Sequence, residues 1–107
     1  MRTTIRTFLL FALVLSLPGA VGFAQGAGAD VYKAKCQNCH GAAGLADTAV
    51  GKALKVKPVT DPAVAKFTEA AMIEATRNGT GKMQAFKDKL TEAEIRASVA
   101  YFRTLMK

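Results

Sequence analysis

The sequence predicts an all-α domain with three main helices, and three observations carry that expectation. Near the C-terminus, Thr91-Glu92-Ala93-Glu94 has the form of a capping box. Behind it, Ile95, Val99, Phe102 and Met106 recur at helical spacing. A second helical stretch is framed by Thr68, a capping residue, and Gly79, a stop. Polar and apolar residues nowhere alternate long enough to make a strand, and there is no internal repeat or low-complexity tract.

At the N-terminus, residues 1–24 read as a secretory signal peptide. Arg2 and Arg6 supply a basic start, Phe8 to Leu17 an apolar run broken only by Ser16, and Pro18-Gly19 a helix break. Gly22-Phe23-Ala24 puts small residues where a signal peptidase reads, so cleavage is expected after Ala24. The apolar run falls short of the roughly 20 residues a membrane span needs. No stable membrane insertion is therefore expected after cleavage; an uncleaved anchor is the competing reading. Removing residues 1–24 takes away Arg2 and Arg6 but no acid, which leaves 13 basic against 8 acidic side chains, a net +5. Residues 25–29 are small and read as a flexible leader, and 30–107 as a single domain. A core of that size is marginal unless something completes it.

The first helix is expected from Asp30, a good N-cap, to Cys39, with Gly41 and Gly44 turning the chain away. It carries Cys36-Gln37-Asn38-Cys39-His40, which packs both cysteines and the only histidine into five residues. Export implies an oxidising compartment, where two cysteines would ordinarily pair. Cys-x-x-Cys-His instead marks covalent attachment of a c-type haem. Two thiols on one helical turn can each form a thioether on the same porphyrin edge, and the next residue can project its imidazole over the ring to the iron.

Residues 45–62 are expected to be irregular, with one helical turn near Thr48 to Leu54. Lys52, Lys55 and Lys57 alternate there with Ala53, Leu54 and Val56, as in a loop that lays apolar side chains on something flat. Pro58 and Pro62 exclude one continuous helix. The next helix starts at Phe67-Thr68, with Phe67 and Met72 at staple positions, and ends at Asn78. Thr80 to Phe86 is a loop. In the last helix Leu90 and Ile95 occupy the staple positions.

A six-coordinate iron needs a second axial ligand, and with one histidine it must be Met or Lys. Met72 and Met106 fall at apolar helix positions and read as core. Met83 lies in a glycine-rich loop between Lys82 and Gln84, which favours it as the ligand. His40 and Met83 are thus the expected iron ligands, and Cys36 and Cys39 the attachment points for one haem c.

The same residues resemble the class I c-type cytochromes, and among them the small bacterial and photosynthetic c6 or c553-like proteins. The resemblance runs from Gly28 to the C-terminus. It rests on Gly28 and Tyr32 ahead of Cys36-Gln37-Asn38-Cys39-His40-Gly41, on Asn78-Gly79-Thr80-Gly81-Lys82-Met83-Gln84-Ala85-Phe86, and on Val99-Ala100-Tyr101-Phe102. It implies the cytochrome c fold, with helices and short turns wrapped around one covalently bound haem. The first and last helices would cross near Gly28, Tyr32 and Tyr101, the loop methionine would bind iron, and a loop proline carbonyl, Pro58 here, would orient His40. Proline usually follows the ligand methionine in this family, and Gln84 stands there instead; there is no tryptophan.

With both axial positions filled, no substrate reaches the metal without displacing Met83. Outer-sphere electron transfer is therefore expected, not enzymatic catalysis: a soluble, monomeric periplasmic carrier. Lys35, Lys52, Lys55, Lys57, Lys82 and Lys87 would attract redox partner proteins with acidic docking surfaces. Nucleic acid is not an expected partner, because the basic residues are not interleaved with aromatics. Two other readings compete. One is a haem sensor or peroxidase-like protein in which a small ligand displaces Met83. The other is a zinc module, which Cys36, Cys39 and His40 would leave one ligand short.

Overall fold

The computed structural model describes residues 21–107, and the signal peptide expected over 1–24 lies outside the described residues as far as residue 20. Six helices follow in order: α1 Val21–Lys35, α2 Gln37–His40, α3 Ala49–Ala53, α4 Pro62–Ala65, α5 Glu69–Asn78 and α6 Glu92–Thr104. Among the described residues three are long, as the sequence predicts, and three are short; of the short ones only α3 matches the helical turn expected near Thr48 to Leu54. Among the described residues the only strand-like pairing is an isolated bridge between Thr80 and Met83.

Local chemistry sets the helix starts. Thr91 accepts from the Glu94 amide at 3.2 Å while the Glu94 carboxylate accepts from the Thr91 amide at 2.9 Å, which completes the expected capping box. Thr68 caps α5 through the Ala71 amide, Thr48 caps α3 through Gly51, and Asp61 caps α4 with Pro62 at its first position. Proline opens a helix readily because its missing N–H has no partner there anyway. The staples divide: Leu90 and Ile95 are buried, whereas Phe67 stays 55% exposed and staples nothing.

α1 differs from expectation at both ends. It is helical from Val21, the first described residue, so residues 25–29 are helical and not a flexible leader. The cause is a close crossing with α6. A Cβ on Gly28 would lie 2.3 Å from the Ala97 carbonyl oxygen, so only glycine lets the two backbones approach this far. One turn on, Tyr32 is buried with its ring 5.1 Å from that of Tyr101 and 6.3 Å from that of Phe102. The helix expected to reach Cys39 instead breaks at Cys36, and a separate turn, α2, carries the rest of the motif.

The core lies where α5 and α6 pack together, with Met72, Ile73, Phe86, Leu90, Ile95 and Val99 buried in one cluster that also takes in Val64 from α4. Met72 is part of that cluster and Met106 packs against it, the core roles the sequence assigned them. At the surface Arg77 ties the two helices, pairing with Glu74 at 2.6 Å on its own helix and with Glu92 at the start of α6.

Candidate functional site

Cys36, Cys39 and His40 are set by a helical turn that the surrounding chain ties at both ends. The Cys36 amide donates to Tyr32 at the end of α1, and the His40 amide returns to Cys36, each at 2.9 Å. The last carbonyls of a helix have no partner inside it, and here the surrounding chain supplies them. Asn38 accepts from the Thr48 hydroxyl at 2.6 Å, His40 from the Ala46 amide at 2.8 Å, and Gly41 from the Tyr32 hydroxyl at 2.6 Å. Gly41, at φ +81°, turns the chain out of α2. α3 closes in beneath, since a Cβ on Gly51 would sit 2.4 Å from the Cys39 carbonyl oxygen.

The side chains are chemically poised. Cys36 and Cys39 are half-buried free thiols, not joined to each other. Burial, with a smaller push from Cys39, drives the Cys36 thiol up to about 11, so its sulfur is uncharged at neutral pH. Burial lowers the His40 pKa as well, which keeps the imidazole neutral, the form that ligates a metal. Its Nδ1 is buried with no hydrogen-bond partner, and its ring stands nearly edge-on to Phe102 at 5.4 Å between centroids. Pro58 does not supply the expected orienting carbonyl: His40 Nδ1 has no partner, and the Pro58 oxygen accepts from the Asp61 amide at 2.9 Å within its own turn.

Met83 comes from the loop between α5 and α6. Its amide and carbonyl both pair with Thr80, at 2.9 and 3.1 Å, making a tight turn. Gly79 at φ +78° packs so closely beneath that a Cβ there would lie 2.8 Å from the Met83 carbonyl oxygen. The side chain is half-buried and rests against the same core that Phe102 packs on. Phe102 therefore touches His40 and shares a core with Met83. Sequence periodicity marked Phe102 only as a core residue, and nothing local distinguished it from Val99.

Between the motif and α5 four large apolar side chains are exposed. Leu45, Val50, Leu54 and Phe67 are 45%, 37%, 36% and 55% exposed, all within residues 45–67. Their grouping on one segment gives an apolar stretch that a flat apolar group could cover.

Comparison with known proteins places this arrangement. The family model described as cytochrome c oxidase, cbb3-type, subunit III matches residues 24–102. Cytochrome c6 of Bryopsis maxima is 36% identical over 74 residues, spanning 69% of this chain and 83% of that protein. Cytochrome c6 of Leptolyngbya boryana is 36% identical over 75 residues, 70% of this chain and 85% of its own. The chain belongs to the small class I c-type cytochromes.

The solved structure of the c-type cytochrome KustC0563 superposes with a TM-score of 0.68 at 34% identity, covering 75% of this chain and 98% of that one. The all-α cytochrome c fold is thus that of the family, and the family's cofactor is a covalent haem c. The residues of this cytochrome fit that group. It has two thiols in Cys-x-x-Cys-His spacing, a neutral imidazole beside them, an unpartnered buried Nδ1 and an apolar segment open to solvent. The zinc reading finds no support, since among the described residues no three His, Cys, Asp or Glu side chains gather to hold a metal. The cytochrome is a monohaem electron carrier of its class. Among the described residues no helix is long and apolar enough to cross a membrane.

Proposed function

We propose that this cytochrome is an exported, periplasmic electron carrier that works by outer-sphere transfer, with Cys36 and Cys39 as thioether anchors and His40 and Met83 as the iron ligands. When bound, haem supplies a one-electron iron couple, and a soft thioether ligand raises its reduction potential relative to a second imidazole. The observation that carries the reading is the state of Met83. Its thioether is half-buried at the tip of a loop braced by Thr80 and Gly79, while Met72 lies wholly within the core. A methionine that a braced loop holds at the edge of the core, and not on a helix, is suited to ligation.

The chain's own residues do three things for electron transfer. Tyr32, Thr48 and Ala46 fix the backbone that carries His40, and Phe102 packs nearly edge-on against its ring. The core beneath Met83 and Phe102 keeps water from that side. Lys52, Lys55 and Lys57 are exposed on the same segment as Val50 and Leu54. Such a surface suits an acidic partner protein with an apolar centre, drawn in by charge and then desolvated.

Replacing Met83 with alanine tests the ligand assignment. Haem is expected to remain attached through Cys36 and Cys39 while the potential falls by a large margin; an unchanged potential would defeat the assignment. Ready CO uptake by the unmutated ferrous protein would favour the sensor reading over the carrier.

A further inference from the structure

We propose that Lys89 and Gln84 form a latch that positions the Met83 loop, an inference that rests on Met83 being the second axial ligand. The Gln84 side-chain oxygen accepts from the Lys89 ammonium at 2.5 Å. Gln84 follows Met83 directly, at a point where a proline ring would have stiffened the chain through its fixed φ.

The main chain of this loop is held on both sides of Gln84. Upstream, Met83 and Thr80 exchange two hydrogen bonds. Downstream, the Phe86 amide donates to Thr76 at 3.0 Å and the Lys87 amide to Arg77 at 3.2 Å, returning the chain to the end of α5. Gln84 and Ala85 cross between these braces with their main chain packed against Gly79 but in neither set of hydrogen bonds, so the Gln84 side chain supplies the hydrogen-bonded tie at the crossing. Lys89 is itself well anchored. Its amide and that of Leu90 both donate to the carbonyl of Phe86, a residue only 5% exposed. A bond from the core-anchored turn 86–90 to the residue after Met83 opposes the outward swing by which the thioether would leave. A bond with a charged donor is stronger than a neutral one, but solvent access at these two exposed residues limits the effect to a modest factor.

The test measures how fast added imidazole takes the place of Met83 in the ferric holoprotein, together with the far-red absorption band that marks a thioether on ferric iron. Lys89→Met keeps the stem and removes the donor; it is expected to speed imidazole binding by about threefold to tenfold. Lys89→Arg keeps a donor and should bind at close to the original rate. Gln84→Ala should match Lys89→Met and add nothing when combined with it. Imidazole binding at an unaltered rate in Lys89→Met, with the band intact, overturns the latch and leaves the ligand assignment standing. Should Lys89→Met fail to fold, Gln84→Ala decides the point in the same way. Absence of the band from the unmutated protein removes the Met83 ligation, and the latch with it.

Discussion

Gly28→Ala would place a methyl carbon 2.3 Å from the Ala97 carbonyl oxygen, 2.9 Å from the Ala97 carbonyl carbon and 3.3 Å from the Tyr101 Cβ. Carbon–oxygen contacts below about 3.0 Å do not persist, so α1 must retreat from α6 by at least about 0.7 Å, the shortfall from the 2.3 Å contact. The obstacle is backbone, which no rotamer change can move aside. That puts the penalty at the upper end of the overpacking range, about 3 kcal/mol. Alanine returns roughly 1 kcal/mol through its better helix propensity. The expected net loss is therefore about 2 kcal/mol, or roughly 8–16 °C in Tm for a domain of this size. Gly26→Ala is the internal control, because a Cβ there meets nothing within 4 Å on the same helix. It should leave stability unchanged or raise it by up to about 1 kcal/mol. Urea unfolding of the three holoproteins, followed by far-UV circular dichroism, measures both. A Gly28→Ala protein as stable as the Gly26→Ala protein would refute the close crossing of α1 and α6.

Three further outcomes are expected. Tyr32→Phe keeps the ring against Tyr101 and Phe102 but leaves the buried Gly41 carbonyl with only the Gly44 amide; it should cost about 1–2 kcal/mol in urea unfolding, and no loss would mean the hydroxyl bond is not made. Thr91→Ala removes the acceptor of the α6 capping box and should cost about 1 kcal/mol, measured in the same assay. The Glu92 carboxyl is held below its ordinary value by its hydrogen bond to Arg77, and that of Glu94 by the Thr91 amide. Groups lowered in the folded state contribute stability that is present above the unfolded value of 4.5 and lost as pH falls below it. Acid titration of stability should thus steepen below about 4.5 and flatten in Glu92→Gln, and an identical profile in that variant would remove the Arg77 pairing from the account.

Much of the fold was legible because its signals are local. Thr68 and Thr91 begin α5 and α6 through bonds to amides three residues on, and Gly79 ends α5. The motif itself needs only five consecutive residues. What escaped the sequence depends on distant partners. The helical run from Val21 to Ala29 has no amphipathic pattern, and its value lies in the smallness of Gly28 against Ala97, nearly seventy residues away in the chain. Phe67 looked like half of a staple, but its side chain stays exposed on the segment with Leu45, Val50 and Leu54. α4 was hidden by Pro62, which was read as a breaker although Asp61 ahead of it marks a helix start. Pro58 was assigned to His40 by resemblance, whereas its carbonyl is engaged by Asp61. The contacts that hold the site, from Tyr32 to Gly41, Thr48 to Asn38 and Phe102 to His40, join separate elements and have no signature in composition or spacing.

The central claim is that Cys36 and Cys39 hold a haem by covalent bonds. Intact-mass spectrometry of the exported protein, denatured and reduced so that anything merely bound falls away, tests it most directly. The account predicts a chain beginning at Gln25 that carries the added mass of one haem and no titratable thiol. A mass equal to the bare polypeptide, with two free thiols, would contradict it.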